Sequence, residues 1–245
     1  MSALGIYAIS MRAYHATVGR DSAVEKEKLR EFYAPLLQNA RLVFDIGANR
    51  GFYALVFASL GTRVVALEPN PDCVRHIQLT YPDVEVLQAV AGPKDGLAEL
   101  NLSDGHDDMS SLSGEWIKTI RAYRDEDDLW NRKLRVPMLR IDTLIEHYGR
   151  PDYIKIDVEG FEEGVLDGLS VCPALLSFEY NLTFLEAAFR CLDKPMFKGA
   201  SFNFTAYYKR EFHSKGEWMD VESIKAILPT LGSGDVFGDI FVRKL

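Results

Sequence analysis

The sequence predicts an α/β fold in which a mostly parallel sheet is covered by helices on both faces. Short apolar strands alternate with helical segments along most of the chain, and this alternation is typical of parallel sheets. The first predicted strand, Leu42 to Ile46, leads directly into a turn that contains Gly47 and Gly51. The second strand ends at Glu68. Because ligands of such sheets lie outside the carboxyl ends of the strands, we expect a binding site there.

Start and stop signals place the helices. A helix over 52–60 is expected to end at Gly61, since glycine suits the residue that follows a helix. The next helix is expected to begin after the N-cap Asn70, with Pro71 in its first position. Asp142 and Asp220 are the expected N-caps of two later helices. The predicted strands are 42–46, 64–68, 84–90, 98–102, 136–141, 153–157, 175–179, 202–208 and 236–243.

The alternation of strands and helices is interrupted after the third predicted strand. The segments 98–102 and 136–141 have the pattern of short strands, and a polar loop and a charged segment separate them. This predicts a small β insertion within one domain over residues 41–245. Residues 1–40 are expected to form a helical extension, with Asp21 or Ser22 as a helix cap.

Composition narrows the class of protein. The chain has 245 residues, and its 28 basic and 36 acidic residues give a net charge of −8, which argues against a protein that wraps nucleic acid or binds anionic lipid. The three cysteines form no C-x-x-C pair, so they are expected to be reduced thiols in the cytoplasm. No segment has the length and apolar character of a membrane span, so no membrane association is expected.

The turn after the first strand indicates a ligand without phosphate. Its glycine-rich order is Gly47, Asn49, Gly51, and Phe52 stands where a dinucleotide fingerprint has its third glycine. Asp45 precedes the turn and would repel a pyrophosphate, but it suits a cation. S-adenosylmethionine has this character, since it carries a sulfonium, an ammonium and an adenosine. The alternative is a glycine-containing turn with no ligand.

Four motifs carry a resemblance to a known family. They are Asp45 to Tyr53, Ala66 to Pro71, Met109 to Leu112 and Pro151 to Gly160, the last containing the run Lys-Ile-Asp-Val-Glu-Gly. On these residues the chain resembles the FkbM-type methyltransferases of the class I, S-adenosylmethionine-dependent fold. The resemblance covers roughly residues 40–180. It implies a Rossmann-like three-layer sandwich whose sheet has seven strands, one of them reversed.

The resemblance also implies a cofactor site. Residues of the first turn would surround the methionine half of S-adenosylmethionine, and Glu68 would bind the ribose hydroxyls. Residues 88–90 would flank the adenine, and the serines of the insertion would approach or cover the cofactor. The residues expected to bind the cofactor are Asp45, Gly47, Ala48, Asn49, Gly51, Phe52, Tyr53, Glu68, Pro69, Asn70, Gln88, Ala89, Val90, Ser110, Ser111 and Asp157.

Methyl transfer to an alcohol also requires removal of a proton. Asp157 and Glu159 are the candidate catalytic bases, because they lie at the end of a strand and in its loop. In the alternative, Asp157 only contacts the cofactor or caps the next helix. A magnesium site made of Asp157, Glu159 and Glu179 is a further alternative, as in some small-molecule O-methyltransferases. The Asp-Asn pair of such sites is missing after the strand 175–179, so no metal is predicted.

The resemblance implies methyl transfer to an oxygen of a small-molecule or carbohydrate-type acceptor. A cofactor-binding module without transferase activity is the main alternative, and a nucleic-acid methyltransferase is the weaker one. His106 as a base, the aromatic stretch 202–210 as a stacking surface, and an acceptor pocket with His213 and Trp218 are less favoured than ordinary structural roles. The oligomeric state stays open.

Overall fold

The computed structural model describes residues 23–103, 110–124, 130–206, 210–232 and 237–244. In these residues a seven-stranded sheet has the order β3-β2-β1-β7-β8-β10-β9. Strand β10 pairs antiparallel with both of its neighbours, and the other pairings are parallel. The predicted α/β fold with one reversed strand is therefore confirmed. The strands are β1 (Leu42–Ile46), β2 (Arg63–Leu67), β3 (Val84–Leu87), β7 (Tyr153–Ile156), β8 (Leu175–Asn181), β9 (Ser201–Phe204) and β10 (Phe237–Arg243).

A second, three-stranded sheet forms the predicted insertion. It consists of β4 (Val90–Ala91), β5 (Gly96–Leu102) and β6 (Arg132–Leu139) in the order β4-β6-β5. The predicted third strand, 84–90, was wrong at its end, because β3 stops at Leu87 and Val90 pairs with Met138 of the small sheet. An apolar run that passes from one sheet to another keeps the same residue pattern, so the sequence did not mark the break.

The described residues contain eight α-helices, and seven of them, all except Gly114–Arg124, pack on the large sheet. Asn70 caps α3 as predicted, since its side chain accepts a hydrogen bond from the Asp72 N–H at 3.0 Å, and Asp220 accepts from the Ser223 N–H at 2.8 Å. Asp142 was wrongly predicted as a cap, because its carboxylate instead accepts from the backbone N–H of Ser170 at 2.9 Å. The helices are α1 (Ala23–Tyr33), α2 (Phe52–Ser59), α3 (Pro71–Thr80), α4 (Gly114–Arg124), α5 (Ile141–Tyr148), α6 (Glu162–Leu166), α7 (Leu185–Leu192) and α8 (Val221–Ile227).

The two faces of the sheet carry separate hydrophobic clusters, because successive residues of a strand point to opposite faces. On one face, Val43 and Tyr153 pack with residues of α1, α2 and α3. On the other, Phe44 and Ile154 pack with residues of α5, α6, α7 and α8. The result is three layers. Among the described residues, no helix combines the length and the apolar character needed to cross a bilayer.

Strand register places a row of polar residues on the face covered by α1 and α2. Asp45 of β1 is paired with Lys155 of β7, and Lys155 is paired with Ser177 of β8. Two residues further along the same face come Asp157 and Glu179. These side chains lie near the carboxyl ends of their strands, where a ligand of a parallel sheet is expected.

Candidate functional site

The turn after β1 adopts a conformation that only small residues fit. Gly47 and Gly51 have φ angles of 83° and 80°, and Asn49 has a φ of 50°, in the left-handed region. A Cβ on Gly47 would lie 1.9 Å from the backbone oxygen of Asp157. The turn therefore packs directly on the loop after β7, and the first and last motifs of the sequence meet here.

Glu68 connects the turn to the next strand end. Its Oε2 accepts a hydrogen bond from the Asn49 N–H, and its Oε1 accepts one from the Asn70 N–H, both at 2.7 Å. The residue is only 6% exposed. Two backbone donors thus fix the carboxylate at the end of β2. Nearby, the Gln88 side chain donates to the Pro69 oxygen at 3.4 Å.

Asp45 is a buried carboxylate without a hydrogen-bonding partner. It is 1% exposed, and neither of its oxygens takes part in a hydrogen bond within the described chain. Burial raises its pKa from 3.8 to about 6; the charge of Lys155 opposes the rise, and the charge of Asp157 adds to it. Such a group is costly in the free protein unless a cationic or hydrogen-bonding ligand meets it.

Lys155 lies on the same face and was not among the predicted site residues. Its Nζ is 2.7 Å from Oδ2 of Asp157 and 4.3 Å from the centre of the Tyr53 ring. Burial opposes the charge of this lysine, but Asp157, Asp239, Tyr53 and Asp45 outweigh it and hold its pKa well above the ordinary value. The signal in the sequence that could have identified this residue was a lysine within an otherwise apolar strand.

Three carboxylates converge beyond the end of β7. Oxygens of Asp157, Glu159 and Glu179 all lie within 4.8 Å of one another. Burial, followed by the charges of Asp157, Glu159, Glu162 and Asp239, raises the pKa of Glu179 well above its ordinary value. The structure therefore brings together the two predicted catalytic acids and adds Glu179 to them.

The loop that carries Glu159 is held from both sides. Glu159 itself has a φ of 53°, which is rare outside glycine and asparagine. The Ser111 hydroxyl donates a hydrogen bond to the backbone oxygen of Glu159 at 2.7 Å. On the other side, Oε1 of Glu162 accepts from the N–H groups of Val158 at 3.1 Å and Gly160 at 3.2 Å. Ser111 thus anchors the insertion to this loop. A contact of Ser111 with the cofactor stays a prediction.

The remaining predicted site residues lie in four places, namely the turn, the insertion, the start of α2 and the core of the large sheet. Ala48 belongs to the turn and donates its N–H to the Leu67 oxygen at 3.0 Å, and Ser110 accepts at its hydroxyl oxygen from the Ser103 N–H at 3.2 Å. Phe52 and Tyr53 begin α2, and their rings meet edge to face at 6.1 Å. Ala89 is buried with the core of the large sheet.

Two less favoured site predictions have structural explanations. The His213 ring stacks on Phe204 with 4.5 Å between centres, and the Trp218 ring lies under the Arg243 guanidinium at 4.3 Å. Several predicted features lie outside the described residues, namely Asp21, Ser22, His106, residues 125–128 of the charged segment and residues 207–209 of the aromatic stretch.

The comparison of sequences decides the family. The Methyltransferase FkbM domain matches residues 45–215, which is more than half of the chain. The chain belongs to the FkbM methyltransferase family. The predicted family is therefore confirmed, and with it the methyltransferase class and the predicted donor, S-adenosylmethionine. No curated protein sequence matches the chain.

Solved structures of other methyltransferases are similar to this chain in fold. The precorrin-6y C5,15-methyltransferase of Geobacter metallireducens has 16% identity and a TM-score of 0.44, with 91% of this chain and 87% of that chain covered. An O-methyltransferase of Bacillus cereus, solved with S-adenosylhomocysteine, has 14% identity and a TM-score of 0.40, with 98% and 91% covered. The 1,6-didemethyltoxoflavin-N1-methyltransferase of Burkholderia thailandensis has 14% identity and a TM-score of 0.38, with 99% and 88% covered.

The residues of the site fit S-adenosylmethionine. The donor carries positive charge and no phosphate, and the turn after β1 presents a buried carboxylate, Asp45, that has no hydrogen-bonding partner of its own. The glycines leave the backbone of the turn open to close approach. Glu68 is fixed at the end of β2, where a ribose diol needs a hydrogen-bond acceptor.

Proposed function

We propose that this FkbM-family protein transfers a methyl group from S-adenosylmethionine to an oxygen of a small-molecule or sugar acceptor. The observation that carries the proposal is Asp45, a buried carboxylate that lacks a hydrogen-bonding partner beside a glycine turn. A cofactor with a cationic end compensates this group, whereas a dinucleotide pyrophosphate would be repelled by it.

The proposed cofactor site runs along the ends of β1 and β2. Asp45 and the turn 47–51 face the methionine half, Glu68 accepts hydrogen bonds from the ribose hydroxyls, and residues 88–90 flank the adenine. The bound donor supplies a methyl carbon that is already activated by its sulfonium. The protein then has to align this carbon with the acceptor oxygen, which is a large source of rate.

Asp157 and Glu159 are proposed to lie beside the reacting oxygen. The ion pair with Lys155 fixes Asp157 at 2.7 Å and leaves its other oxygen available for a substrate contact. The same ion pair reduces the attraction of the acidic cluster for a divalent cation, which supports the prediction of a metal-independent reaction.

The three described cysteines are all free, which supports the proposed cytoplasmic location.

Calorimetric titration tests the cofactor. S-adenosylmethionine is expected to bind with a dissociation constant in the micromolar range, about −8 kcal/mol, and NAD is not expected to bind. The opposite preference would contradict the proposal. Incubation with radiolabelled donor and a set of hydroxyl compounds, followed by mass analysis, then tests transfer. Binding of the donor without transfer to any acceptor would favour a cofactor-binding module.

A further inference from the structure

A pocket of about 310 Å³ adjoins the converging carboxylates. It is lined by the start of α4, the loop after β7, the start of α6, the end of β8 and the segment from there into α7. Its volume is at the lower end of the range for small-molecule sites, about 300–1,000 Å³. The lining residues used below are Glu115, Glu162, Glu163, Glu179, Glu186 and Arg190.

The pocket meets the proposed cofactor site at one side chain. Glu179 lines the pocket, and its carboxylate is within 4.8 Å of those of Asp157 and Glu159. The backbone of Asp157 in turn packs on the glycine turn, since a Cβ on Gly47 would lie 1.9 Å from the backbone oxygen of Asp157. Glu179 therefore adjoins both the pocket and the acids at the edge of the proposed cofactor site.

The acids around this junction differ in their partners. Asp157 is paired with Lys155 at 2.7 Å, and Glu162 accepts two backbone hydrogen bonds. Within the described ranges, the side chain of Glu179 has neither a hydrogen bond nor an ion pair, although it lies on β8 between the buried Phe178 and Tyr180. The carboxylate of Glu179 is thus available to a substrate in the pocket.

The charge of the lining restricts the chemical class of the occupant. Glu115, Glu162, Glu163, Glu179 and Glu186 contribute carboxylates, whereas the cation of the lining, Arg190, is already paired with Glu163 at 2.7 Å. A phosphate or carboxylate in this pocket would be repelled. An uncharged polyhydroxy compound can instead donate hydrogen bonds to the carboxylates.

We propose that this pocket binds the methyl acceptor, that the acceptor is an uncharged polyhydroxy compound of monosaccharide size, and that Glu179 takes the proton of the reacting hydroxyl. This inference rests on the proposed function. The acceptor oxygen forms a bond to the methyl carbon while the carbon–sulfur bond breaks, and the bonding electron pair remains on sulfur. The hydroxyl proton passes to the carboxylate of Glu179, so the sulfonium and carboxylate charges are both neutralised.

Binding of the donor prepares Glu179 for this role. Burial and the neighbouring acids hold the pKa of Glu179 well above its ordinary value in the free protein. A sulfonium bound beside these acids favours their ionised forms. The ionised base is therefore formed when the cofactor is present.

A panel of matched glycosides tests the acceptor class. Methyl glucoside, methyl mannoside and methyl rhamnoside are compared with methyl glucuronide and glucose 6-phosphate as acceptors of label from radiolabelled S-adenosylmethionine. We expect label in at least one uncharged glycoside and none in the two anions. Label in the anions, or in no member of the panel, would overturn the assignment.

The variant Glu179→Gln tests the base, with Glu146→Gln on the exposed side of α5 as the matched control. Glu179→Gln is expected to lower kcat by about 100-fold or more and to remove the rise of rate with pH, and Glu179→Asp is expected to restore part of both. Glu146→Gln is expected to behave like the wild type. An unchanged kcat and pH profile in Glu179→Gln would exclude Glu179 as the base.

Donor binding is measured on the same samples, so that the two levels of the account can be told apart. If the wild-type protein binds S-adenosylmethionine but methylates no glycoside, the acceptor class fails and the proposed cofactor site stands. If the wild-type protein does not bind S-adenosylmethionine, the proposed function itself fails. Glu179→Gln is expected to retain donor binding.

Discussion

The substitution Asp45→Asn tests whether the buried carboxylate at the end of β1 serves a cationic cofactor. In the free protein this group is 1% exposed and its pKa is raised to about 6 from 3.8. Ionised Asp45 therefore costs the folded state free energy, and a bound cation would recover part of it. The substitution should affect stability and affinity in opposite directions.

The expected change in stability follows from the pKa. A carboxyl group whose pKa is higher in the folded than in the unfolded state stabilises the fold at low pH, and this contribution is lost as the pH rises from about 4 to about 6. The difference of roughly two pKa units corresponds to at most about 3 kcal/mol at pH 7. Ligand-free Asp45→Asn should thus be more stable than the wild type at pH 7, and this advantage should disappear near pH 4.

The expected change in affinity has the opposite sign. If the donor binds the form with ionised Asp45, only about one free molecule in ten is competent at pH 5, and apparent affinity falls about tenfold between pH 7 and pH 5. Glu179 adds to this trend, since its pKa is also raised. The difference between wild type and Asp45→Asn isolates the share of Asp45.

Two measurements on the wild type and Asp45→Asn decide the matter. Urea unfolding without ligand gives the free energy of unfolding at pH 4 and pH 7, and calorimetry gives the affinity for S-adenosylmethionine from pH 5 to pH 7.5. The account predicts a more stable variant with weaker binding and a flatter pH dependence. Equal affinity and an equal pH dependence in the two proteins would refute a contact between Asp45 and the cofactor.

Three further substitutions test other parts of the site. Glu68→Ala should weaken donor binding about tenfold or more, because the ribose hydroxyls lose a fixed acceptor, and calorimetry measures the loss. Lys155→Met should lower the free energy of unfolding. The loss should be smaller than the about 3–5 kcal/mol expected when a fully buried pair is broken, because Asp157 is 29% exposed. Adding Asp157→Asn should recover part of the loss. Gly47→Ala should abolish donor binding, because its Cβ has no room, whereas Gly232→Ala, with nothing within 4 Å, should not.

Each of these substitutions has an outcome that would contradict its reasoning. Wild-type affinity in Glu68→Ala would remove that residue from the site, and Glu85→Ala on the exposed edge of β3 is the control for loss of an acid. Additive effects of the Lys155 and Asp157 substitutions would show that the two groups do not interact. If Gly47→Ala bound the donor with wild-type affinity, the turn would accommodate a Cβ at this position, and the steric argument would be wrong.

The elements that the sequence predicted well are those with local causes. The turn after β1 needs positive φ angles at Gly47 and Gly51, and a short apolar strand precedes it, so its position was readable from residue types. The start of α3 was readable for the same reason, since Asn70 and Pro71 act within one helical turn. Cofactor chemistry followed from these local features together with the family resemblance.

The features that the sequence did not predict depend on contacts between distant segments. Lys155 pairs with Asp157 only two residues away, yet its role needs Tyr53 of α2 and Asp45 of β1 beside it. Glu179 was considered only as a metal ligand, because the pocket beside it forms only when the insertion packs on the loop after β7. The strand register that aligns such groups has no local signal in the chain.

A crystal structure of the protein soaked with S-adenosylmethionine tests the central claim most directly. The account predicts the ribose hydroxyls within hydrogen-bond distance of Glu68 and the methionine ammonium facing Asp45 across the turn 47–51. A donor bound elsewhere, or a cofactor whose ribose and ammonium contact neither of these carboxylates, would contradict it.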